Sequence, residues 1–437
     1  MSFNILQDIF FALIMIGIMI LIHELGHYWE ARFFDVKVDT FSFGFGPRLF
    51  GFKKGETDFR FSAILLGGYV KMVGEQAGDE QANDPRSFLS KPRWQRLIIV
   101  FAGPAMNIIL AVAVLTGLFM VRFPKIPSSP SPEIGYIVPD SAAAKAGLHE
   151  GDRIVQIGDS VNPTWEDIAM KESASAGHTL SVWIVRNGER QFVPVTPALD
   201  PKSGTGFAGW GEQNEIEIGS VSAGSPAAKA GLKAGDIFVS VDGEPIHSNK
   251  VHEIINRQAG KTVNVVVTRN GKSIATPLTP TMSDNKGVKE WMIGVSLQPK
   301  VELVSLPFPQ ALAESVHQNA KNATFIYQFL RGLAERRMSP KSLAGPIKIV
   351  QMSGEEAREG PMAYFWLMAG LSLNLAVVNL LPIPILDGAT IFMLIVEMFM
   401  RRDLSLRVKE AAFRLGFVFL MAVVAFVLYN DISKLAG

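Results

Sequence analysis

The first apolar run of the chain reads Ile5-Leu-Gln-Asp-Ile-Phe-Phe-Ala-Leu-Ile-Met-Ile-Gly-Ile-Met-Ile-Leu-Ile-His-Glu-Leu-Gly-His-Tyr28. About 20 residues of helix cross a hydrocarbon core, so this run is long enough to span a membrane. No basic region precedes it and no small-residue cleavage pattern follows it, so we expect a retained helix and not a signal peptide. Its end carries two histidines and a glutamate, which are costly at membrane depth unless they face a cavity or a ligand.

Three further apolar runs, over residues 97–121, 364–386 and 411–429, have a similar length. Hydrophobic residues make up 48% of the 437 residues, which favours a multi-domain membrane protein with a four-transmembrane-helix α-helical core. The formal net charge of +1 predicts no broad attraction to nucleic acid. Because the chain has no cysteine, disulfides and thiolate metal sites are excluded.

The charges of the short loops predict the orientation in the membrane. Lysine and arginine are frequent between the first two spans and between the last two. The positive-inside rule assigns both segments to the cytoplasm. Both termini and residues 122–361 then lie outside, in the periplasm of a bacterium whose inner membrane holds the protein.

An internal repeat occupies this outer region. Ser141-Ala-Ala-Ala-Lys-Ala-Gly-Leu-His-Glu-Gly-Asp152 recurs as Ser225-Pro-Ala-Ala-Lys-Ala-Gly-Leu-Lys-Ala-Gly-Asp236, and Arg186-Asn187-Gly188 recurs as Arg269-Asn270-Gly271. Short β-rich runs joined by Asn-Gly turns surround both copies. The spacing predicts two tandem β-rich domains of similar size after a stiff proline-rich linker over residues 124–132.

Two other segments are predicted to lie against the membrane. Alternating aromatic residues over residues 38–72, interrupted by glycines, indicate a β-hairpin that packs on the membrane domain. Residues 309–337 mix charged and apolar side chains at near-helical spacing, which is typical of an amphipathic helix at a membrane surface.

The motif His23-Glu24-Leu25-Gly26-His27 carries the chemistry. Residues four apart share one face of a helix, so His23 and His27 could bind one Zn²⁺. Glu24 lies beside the first histidine, where it could accept a proton from a water molecule. The alternative is a pair of surface histidines on a charged helix, but this helix is apolar, which favours the metal.

Catalytic zinc needs a third protein ligand, and Asp387 is the candidate. It follows Pro382 and Pro384, which should break the third span and expose backbone that lines a cavity. Asp387 could instead end a helix at the cytoplasmic interface. Asn374 and Asn379 could instead form hydrogen bonds between helices.

These motifs together resemble the bacterial site-2 proteases over nearly the whole chain. The resemblance rests on the HELGH motif of the first span and on Asn374-Leu-Ala-Val-Val-Asn-Leu-Leu-Pro-Ile-Pro-Ile-Leu-Asp-Gly388 in the third. It implies an intramembrane zinc metalloprotease in which His23, His27 and Asp387 bind Zn²⁺, Glu24 is the catalytic base, and Asn379 and Pro382 hold the substrate. Ala389-Thr390 departs from the Gly-His that relatives commonly carry after Leu-Asp-Gly, which affects fine geometry and not the zinc.

The repeats similarly resemble circularly permuted bacterial PDZ domains, with carboxylate-binding loops at residues 206–209 and 292–295. Such domains bind peptide C-termini by strand addition. Here they could instead act only as a size filter, and the sequence does not decide between these two interpretations. A strand edge at Gly68, Tyr69 and Val70, or alternatively at residues 41–45, could hold an unwound substrate in the same way. The alternative is a hairpin that packs on the membrane domain and binds no substrate.

We therefore expect five segments. They are residues 1–121 with spans one and two, the HExxH motif and the β-hairpin, 122–210 and 211–300 as first and second PDZ domains, 301–360 with amphipathic or linker helices, and 361–437 with spans three and four.

The predicted function is cleavage of single-pass membrane proteins within the lipid bilayer. By resemblance, the substrates are a trimmed anti-sigma factor, whose cut releases a cytoplasmic fragment in envelope stress, and remnant signal peptides. One competing function is a non-enzymatic scaffold, but a structural metal site would not require Glu24 and usually has four protein ligands. The other is a metal transporter, against which the chain shows one ligand set and few spans.

Overall fold

The computed structural model describes residues 2–75, 84–121, 123–125, 132–200, 204–212, 214–246, 250–285, 288–335, 340 and 343–436. The chain divides into two compact units. The first comprises residues 1–123, 305–327 and 343–437, and the second comprises residues 124–304 and 328–342. Most of the predicted linker over residues 124–132 lies outside the described residues.

The helices follow one another along both units. They are α1 (Ser2–Phe33), α2 (Arg93–Met120), α3 (Ala142–Lys145), α4 (Trp165–Ser173), α5 (Pro226–Lys229), α6 (Lys250–Arg257), α7 (Phe308–Ala334), α8 (Pro346–Glu359), α9 (Pro361–Asn379), α10 (Asp387–Met400) and α11 (Leu406–Ala436).

The strands lie mainly in the second unit. They are β1 (Val38–Lys54), β2 (Thr57–Met72), β3 (Phe123–Lys125), β4 (Ile134–Ile137), β5 (Arg153–Ile157), β6 (Ser160–Val161), β7 (Leu180–Arg186), β8 (Glu189–Val195), β9 (Ala198–Leu199), β10 (Gly206–Phe207), β11 (Trp210–Glu212), β12 (Ile216–Val221), β13 (Ile237–Val241), β14 (Glu244–Pro245), β15 (Val263–Arg269), β16 (Lys272–Leu278), β17 (Thr281–Asn285), β18 (Val288–Met292), β19 (Val295–Pro299) and β20 (Glu302–Val304).

The prediction of four apolar membrane helices is confirmed in the part of the chain that the structure describes. Helical segments of sufficient length and hydropathy cover Ile5–Phe33, Arg93–Met120, Pro361–Asn379 and Arg407–Ser433. The third ends at Asn379, before the predicted end at residue 386, because the two prolines that follow cannot continue a helix. The chain is therefore a membrane protein whose third span stops short of Asp387.

A further apolar helix, α10, begins at Asp387 and was not predicted. The predicted third span ends at residue 386, so these residues were expected in the loop that follows it. Arg401, in the left-handed conformation, ends it, and the buried Glu397 pairs with Lys409 of α11 at 2.7 Å. Since Glu397 also accepts the Leu404 amide at 2.9 Å, a buried charged group fixes the turn between the two helices.

The predicted amphipathic segment forms α7, and one of its polar residues packs inside the first unit. Ser315 is fully buried and donates its hydroxyl to the carbonyl of Val112 on α2 at 2.7 Å. Ala311, one turn earlier, is also fully buried. This part of α7 therefore contacts the second membrane helix.

The predicted hairpin is folded into four paired segments. Residues 40–43 pair with 58–61 on one side, residues 38–45 pair with 64–72 on the other, and residues 48–54 pair with 57–62. Gly44 and Gly46 bend β1 with φ angles of +95° and +86°, which side chains with a Cβ rarely adopt. The segment 64–72 therefore forms one edge of the sheet, whereas residues 41–43 lie inside it.

The two repeats of the second unit build equivalent cores. One sheet has the order β6-β5-β7-β8, and the other has the order β16-β15-β13-β12-β19 with β14 beside β13. Ser141 and Ser225 cap the short helices α3 and α5 through their hydroxyls. The repeated Gly-Asp and Arg-Asn-Gly motifs form the same contact twice, since Asp152 binds Arg186 and Asp236 binds Arg269.

Each of these pairs is a bidentate ion pair inside its repeat. Arg269 donates to both oxygens of Asp236 at 2.6 Å, and Asp236 has no exposed surface. Burial by itself would raise the pKa of the Asp236 carboxyl. The hydrogen bonds from the Arg269 guanidinium outweigh burial and hold this pKa below its ordinary value. The stabilisation is therefore present at neutral pH and is lost as the pH falls through that lowered pKa.

Asp236→Ala should destabilise the second repeat, because it removes a buried carboxylate that accepts hydrogen bonds from Arg269 and from the Lys233 amide. Hydrogen exchange of β15 in the full-length protein in detergent should become about 100-fold faster. The control is Asp159→Ala, which removes the ion pair of an Asp159 side chain that is 83% exposed and should change exchange little. Equal exchange of β15 in both variants would contradict this account.

Candidate active site

The site depends on a close crossing of α1 and α2. A Cβ atom at Gly26 would lie 2.3 Å from the carbonyl oxygen of Ala102. A Cβ atom at Gly103 would lie 2.2 Å from the Nε2 atom of His27 and 2.9 Å from that of His23. Both positions must therefore be glycine if the two helices and the two imidazoles are to stay where they are.

Three potential ligand atoms converge beside this crossing. The Asp387 Oδ2 atom lies 3.1 Å from His23 Nε2 and 3.6 Å from His27 Nε2, and the two Nε2 atoms are 3.3 Å apart. Atoms bound at about 2.0–2.1 Å to a tetrahedral zinc lie about 3.3 Å from one another. Asp387 Oδ2 is also buried without a hydrogen bond of good geometry. Donor types and spacings therefore fit Zn²⁺, with a fourth position left for water or substrate.

Hydrogen bonds from α2 orient both imidazoles. The His27 Nδ1 atom lies 2.9 Å from the carbonyl oxygen of Ile99, to which it donates. The His23 Nδ1 atom lies 3.2 Å from the amide nitrogen of Asn107, whose Oδ1 atom is buried without a partner. Rotating the nearly symmetric amide by half a turn lets Oδ1 accept from His23 Nδ1. Each Nε2 lone pair is then free for a metal.

Asn107 was not among the site residues predicted from the sequence. The signal that could have identified it is its burial in an apolar helix, since such an amide needs a partner. Its backbone carbonyl also accepts the Ser372 hydroxyl at 2.9 Å, which joins α2 to α9. Asn107 therefore links His23 to two other helices of the unit.

Asp387 reaches the histidines because the chain between α9 and α10 leaves helical geometry. Ile385 in this connection has a φ of +87°, a strained value for a β-branched residue. A Cβ atom at Gly388 would lie 2.2 Å from the Leu381 carbonyl oxygen. The Leu-Asp-Gly sequence thus places a carboxylate at the first position of a helix whose second residue has no room for a side chain.

The three groups open onto a cavity of about 570 Å³ in the first unit. Glu24 is half-buried on its wall, and the Val70 backbone amide hydrogen-bonds its carboxylate. A Cβ atom at Gly68 would lie 3.0 Å from Glu24 Cγ, so β2 runs directly against the glutamate. Gly68, Tyr69 and Val70 all line the cavity.

The two remaining candidates differ in position. Asn379 lines the cavity, and its side-chain nitrogen lies 3.5 Å from His23 Nε2. Pro382 is exposed and is not among the residues that line the cavity. Asn379 is therefore close enough to contact a substrate at the ligands, whereas Pro382 shapes the turn that precedes Asp387.

Comparisons with known proteins agree on one family. A model described as peptidase family M50 matches residues 11–423. The regulator of sigma-E protease RseP of Salmonella typhimurium is 31% identical over 99% of this chain and 100% of that protein. RseP of Escherichia coli is 29% identical over 98% of this chain and 99% of that protein. A Vibrio cholerae protein named "Putative zinc metalloprotease" is 28% identical over 99% of this chain and 100% of that protein.

One solved structure is a PDZ domain of an SdrC-like protein from Listeria monocytogenes. It is 28% identical and covers 19% of this chain and 87% of that domain, with a TM-score of 0.18. A score this low supports no argument about the fold.

Asn107→Leu should weaken zinc binding about 10- to 100-fold, because His23 loses the group that orients it while helix packing is largely kept. Zinc retention by the purified protein against a competing chelator measures this. Thr116→Val is the matched control, since the Thr116 hydroxyl bonds only to its own helix at Val112. Equal zinc affinity for Asn107→Leu and the unmodified chain would exclude a positioning role for Asn107.

Proposed function

The chain belongs to peptidase family M50 and is a zinc metalloprotease, and we propose that it cleaves a peptide bond inside the membrane. The observation that carries this proposal is the triangle of His23, His27 and Asp387, with separations of 3.1–3.6 Å, in a unit that contains four apolar membrane helices. Glu24 lies on the wall of the same cavity. A site at this depth acts on chains that are themselves in the membrane.

We assign the roles as follows. His23, His27 and Asp387 would hold zinc, which supplies a Lewis acid for the scissile carbonyl and for the attacking water. Glu24 accepts the proton of that water and returns it to the departing nitrogen. The Val70 amide holds the Glu24 carboxylate in place, and Asn379 contacts the substrate backbone beside His23.

The substrate must be extended where it is cut, since a helix uses its peptide groups in its own hydrogen bonds. We propose that residues 68–70 of β2 bind it by strand addition, while Pro382 helps to hold it from the turn that precedes Asp387. Supporting this, the segment 64–72 is a sheet edge, and no described strand pairs with its outer side. Residues 41–43 are paired on both sides, which supports this edge over the alternative at residues 41–45.

The substrates proposed are single-pass membrane proteins. Two relatives are named as regulators of sigma-E, so an anti-sigma factor trimmed on its outer side is the leading candidate, with remnant signal peptides as a second class. Cleavage would release a cytoplasmic fragment. The proposed location is the bacterial inner membrane, with both termini and the repeat unit in the periplasm and the active site towards the cytoplasm.

The two repeats are proposed as tandem PDZ domains over residues 122–210 and 211–300, preceding helices over residues 301–360. In support, each repeat has a capped short helix, an antiparallel sheet and a longer helix beside a glycine-containing loop. They would restrict access by bulk or bind peptide ends, and the two roles are compatible in one chain.

Glu24→Gln should abolish cleavage and leave zinc binding intact, because the change removes the base but none of the three ligands. A purified, outer-trimmed single-pass substrate is incubated in detergent with each protein, and zinc per chain is quantified. Cleavage by the unmodified chain alone, with about one zinc in both, is expected. Bound zinc without cleavage by either protein across several substrates would favour a scaffold.

Cysteine cross-linking tests the strand-addition proposal cleanly, because the chain has no cysteine of its own. In the inactive Glu24→Gln background, Tyr69→Cys should form disulfides with cysteines placed at every second position of the substrate segment. Phe50→Cys, on the opposite edge of the same sheet, is the control and should form none. A period of three to four residues, or equal cross-linking from both positions, would contradict strand addition.

A further inference from the structure

Two charged side chains in the wall of the active-site cavity each keep one polar atom without a partner. Arg96, in the first turn of α2, is 4% exposed, and Glu397 of α10 is fully buried. Both line the cavity that holds the three potential ligand atoms. Among the described residues, neither the Nε–H group of Arg96 nor the Oε2 atom of Glu397 has a hydrogen-bond partner. Since an unpaired buried polar group is costly, both atoms point to a ligand that the cavity receives.

The other polar atoms of these two side chains are fixed at one turn of the chain. Arg96 donates its Nη2 group to the carboxylate of Asp403 at 3.3 Å. The Oε1 atom of Glu397 accepts the Leu404 amide at 2.9 Å and pairs with Lys409 at 2.7 Å. The Arg96 Nε and Glu397 Oε2 atoms nevertheless do not bind one another. Two cations and two anions therefore meet at this turn, and the group as a whole is neutral.

A ligand for the two unpaired atoms must accept one hydrogen bond and donate another. An arginine only donates hydrogen bonds, and a carboxylate only accepts them. An anion beside Arg96 would be repelled by Glu397, and a cation beside Glu397 would be repelled by Arg96. The ligand that suits both atoms is therefore neutral and carries a carbonyl close to an N–H group, as the main chain of a peptide does.

An extended substrate presents such groups to the walls that lie away from β2. In an antiparallel pair, one residue exchanges both its N–H and its C=O bonds with the neighbouring strand, and the next residue directs both groups to the opposite side. Strand addition to residues 68–70 would therefore satisfy only alternate residues of the substrate. Arg96 and Glu397 come from α2 and α10 and not from the sheet. The remaining peptide groups need partners from such walls, because unpaired ones are costly in a membrane.

We propose that Arg96 and Glu397 bind the main chain of the unwound substrate, with the Arg96 Nε–H group donating to a carbonyl and the Glu397 Oε2 atom accepting the N–H of the same residue. Glu397 lies ten residues after Asp387 in α10, which corresponds to about 15 Å of helix. At about 3.3 Å per residue of extended chain, the bound residue lies about four or five residues from the scissile bond. The two side chains are therefore binding residues and take no part in the chemistry. This inference rests on the proposed function, because it requires an extended substrate in the cavity.

Binding of a defined peptide tests the arginine in the full-length Glu24→Gln protein with zinc in detergent. The probe is a fluorescein-labelled, membrane-spanning peptide of alanine, leucine and glycine, and its binding is followed by anisotropy. Arg96→Met should weaken this binding about tenfold, because a hydrogen bond from a charged group is lost. Arg93→Met is the matched control and should bind like the background, since Arg93 bonds to the same Asp403 at 3.0 Å but is not among the residues that line the cavity.

Chemical changes in the main chain of the probe test the glutamate. Single ester bonds replace successive peptide groups, and each ester removes one N–H donor. One ester, about four or five residues from the bond that the active chain cuts, should weaken binding about five- to tenfold. The same ester should have no further effect in Glu397→Gln, which keeps the Oε1 acceptor for Leu404 but places an NH2 group where Oε2 was. Hydrogen exchange of α2 and α10 verifies that each variant is folded.

Equal binding by Arg96→Met, Arg93→Met and the background, including no binding by any of them, would overturn the proposal. So would ester effects that persist unchanged in Glu397→Gln. A loss in Arg96→Met that appears only when the probe carries asparagine or glutamine would assign the site to a side-chain amide and would also overturn it. Cleavage of the probe by the chain with Glu24 intact is measured separately and decides the proposed function. Intact cleavage with unchanged binding would remove this site and leave the protease.

Discussion

The close contact between α1 and α2 fixes the geometry of the site, because it holds two imidazoles against a second helix in an apolar unit. Gly26 and Gly103 let the backbones approach until no Cβ fits. At that distance the Ile99 carbonyl and the Asn107 amide of α2 reach the outer nitrogens of the histidines. Both rings are then directed at one point, and a metal there would compensate polar groups that are otherwise costly in a membrane.

The proposed third ligand, Asp387, requires the opposite kind of backbone. α9 ends at Asn379 so that the chain can turn and present Asp387 from the start of a new helix. The turn contains the strained Ile385, and Gly388 packs on the carbonyls of the preceding turn. A regular helix through this region would carry Asp387 away from the histidines, so local strain is compensated by the approach of the carboxylate.

The sequence was sufficient to predict those parts of the site that depend on the spacing of residues along the chain. His23 and His27 share a helix face, and the two prolines indicate that the helix ends before Asp387. It was insufficient to predict the role of Asn107, the start of α10, and the folding of the β1–β2 hairpin into four paired segments. Those features depend on which helices pack together and on how Gly44 and Gly46 bend a strand, and neither is visible as a local period.

The repeats show how a duplicated sequence can lose symmetry through one side chain. The Asp152–Arg186 and Asp236–Arg269 pairs are the same contact formed twice, and they keep both cores alike. At the loops, in contrast, the copies differ. Glu172 accepts the Ala208 amide in the first copy, and the side-chain oxygen of Asn256 accepts the Trp291 amide in the second. Each acceptor comes from the longer helix of its own repeat, so the loop amides are satisfied in both copies although the side chain that satisfies them has changed.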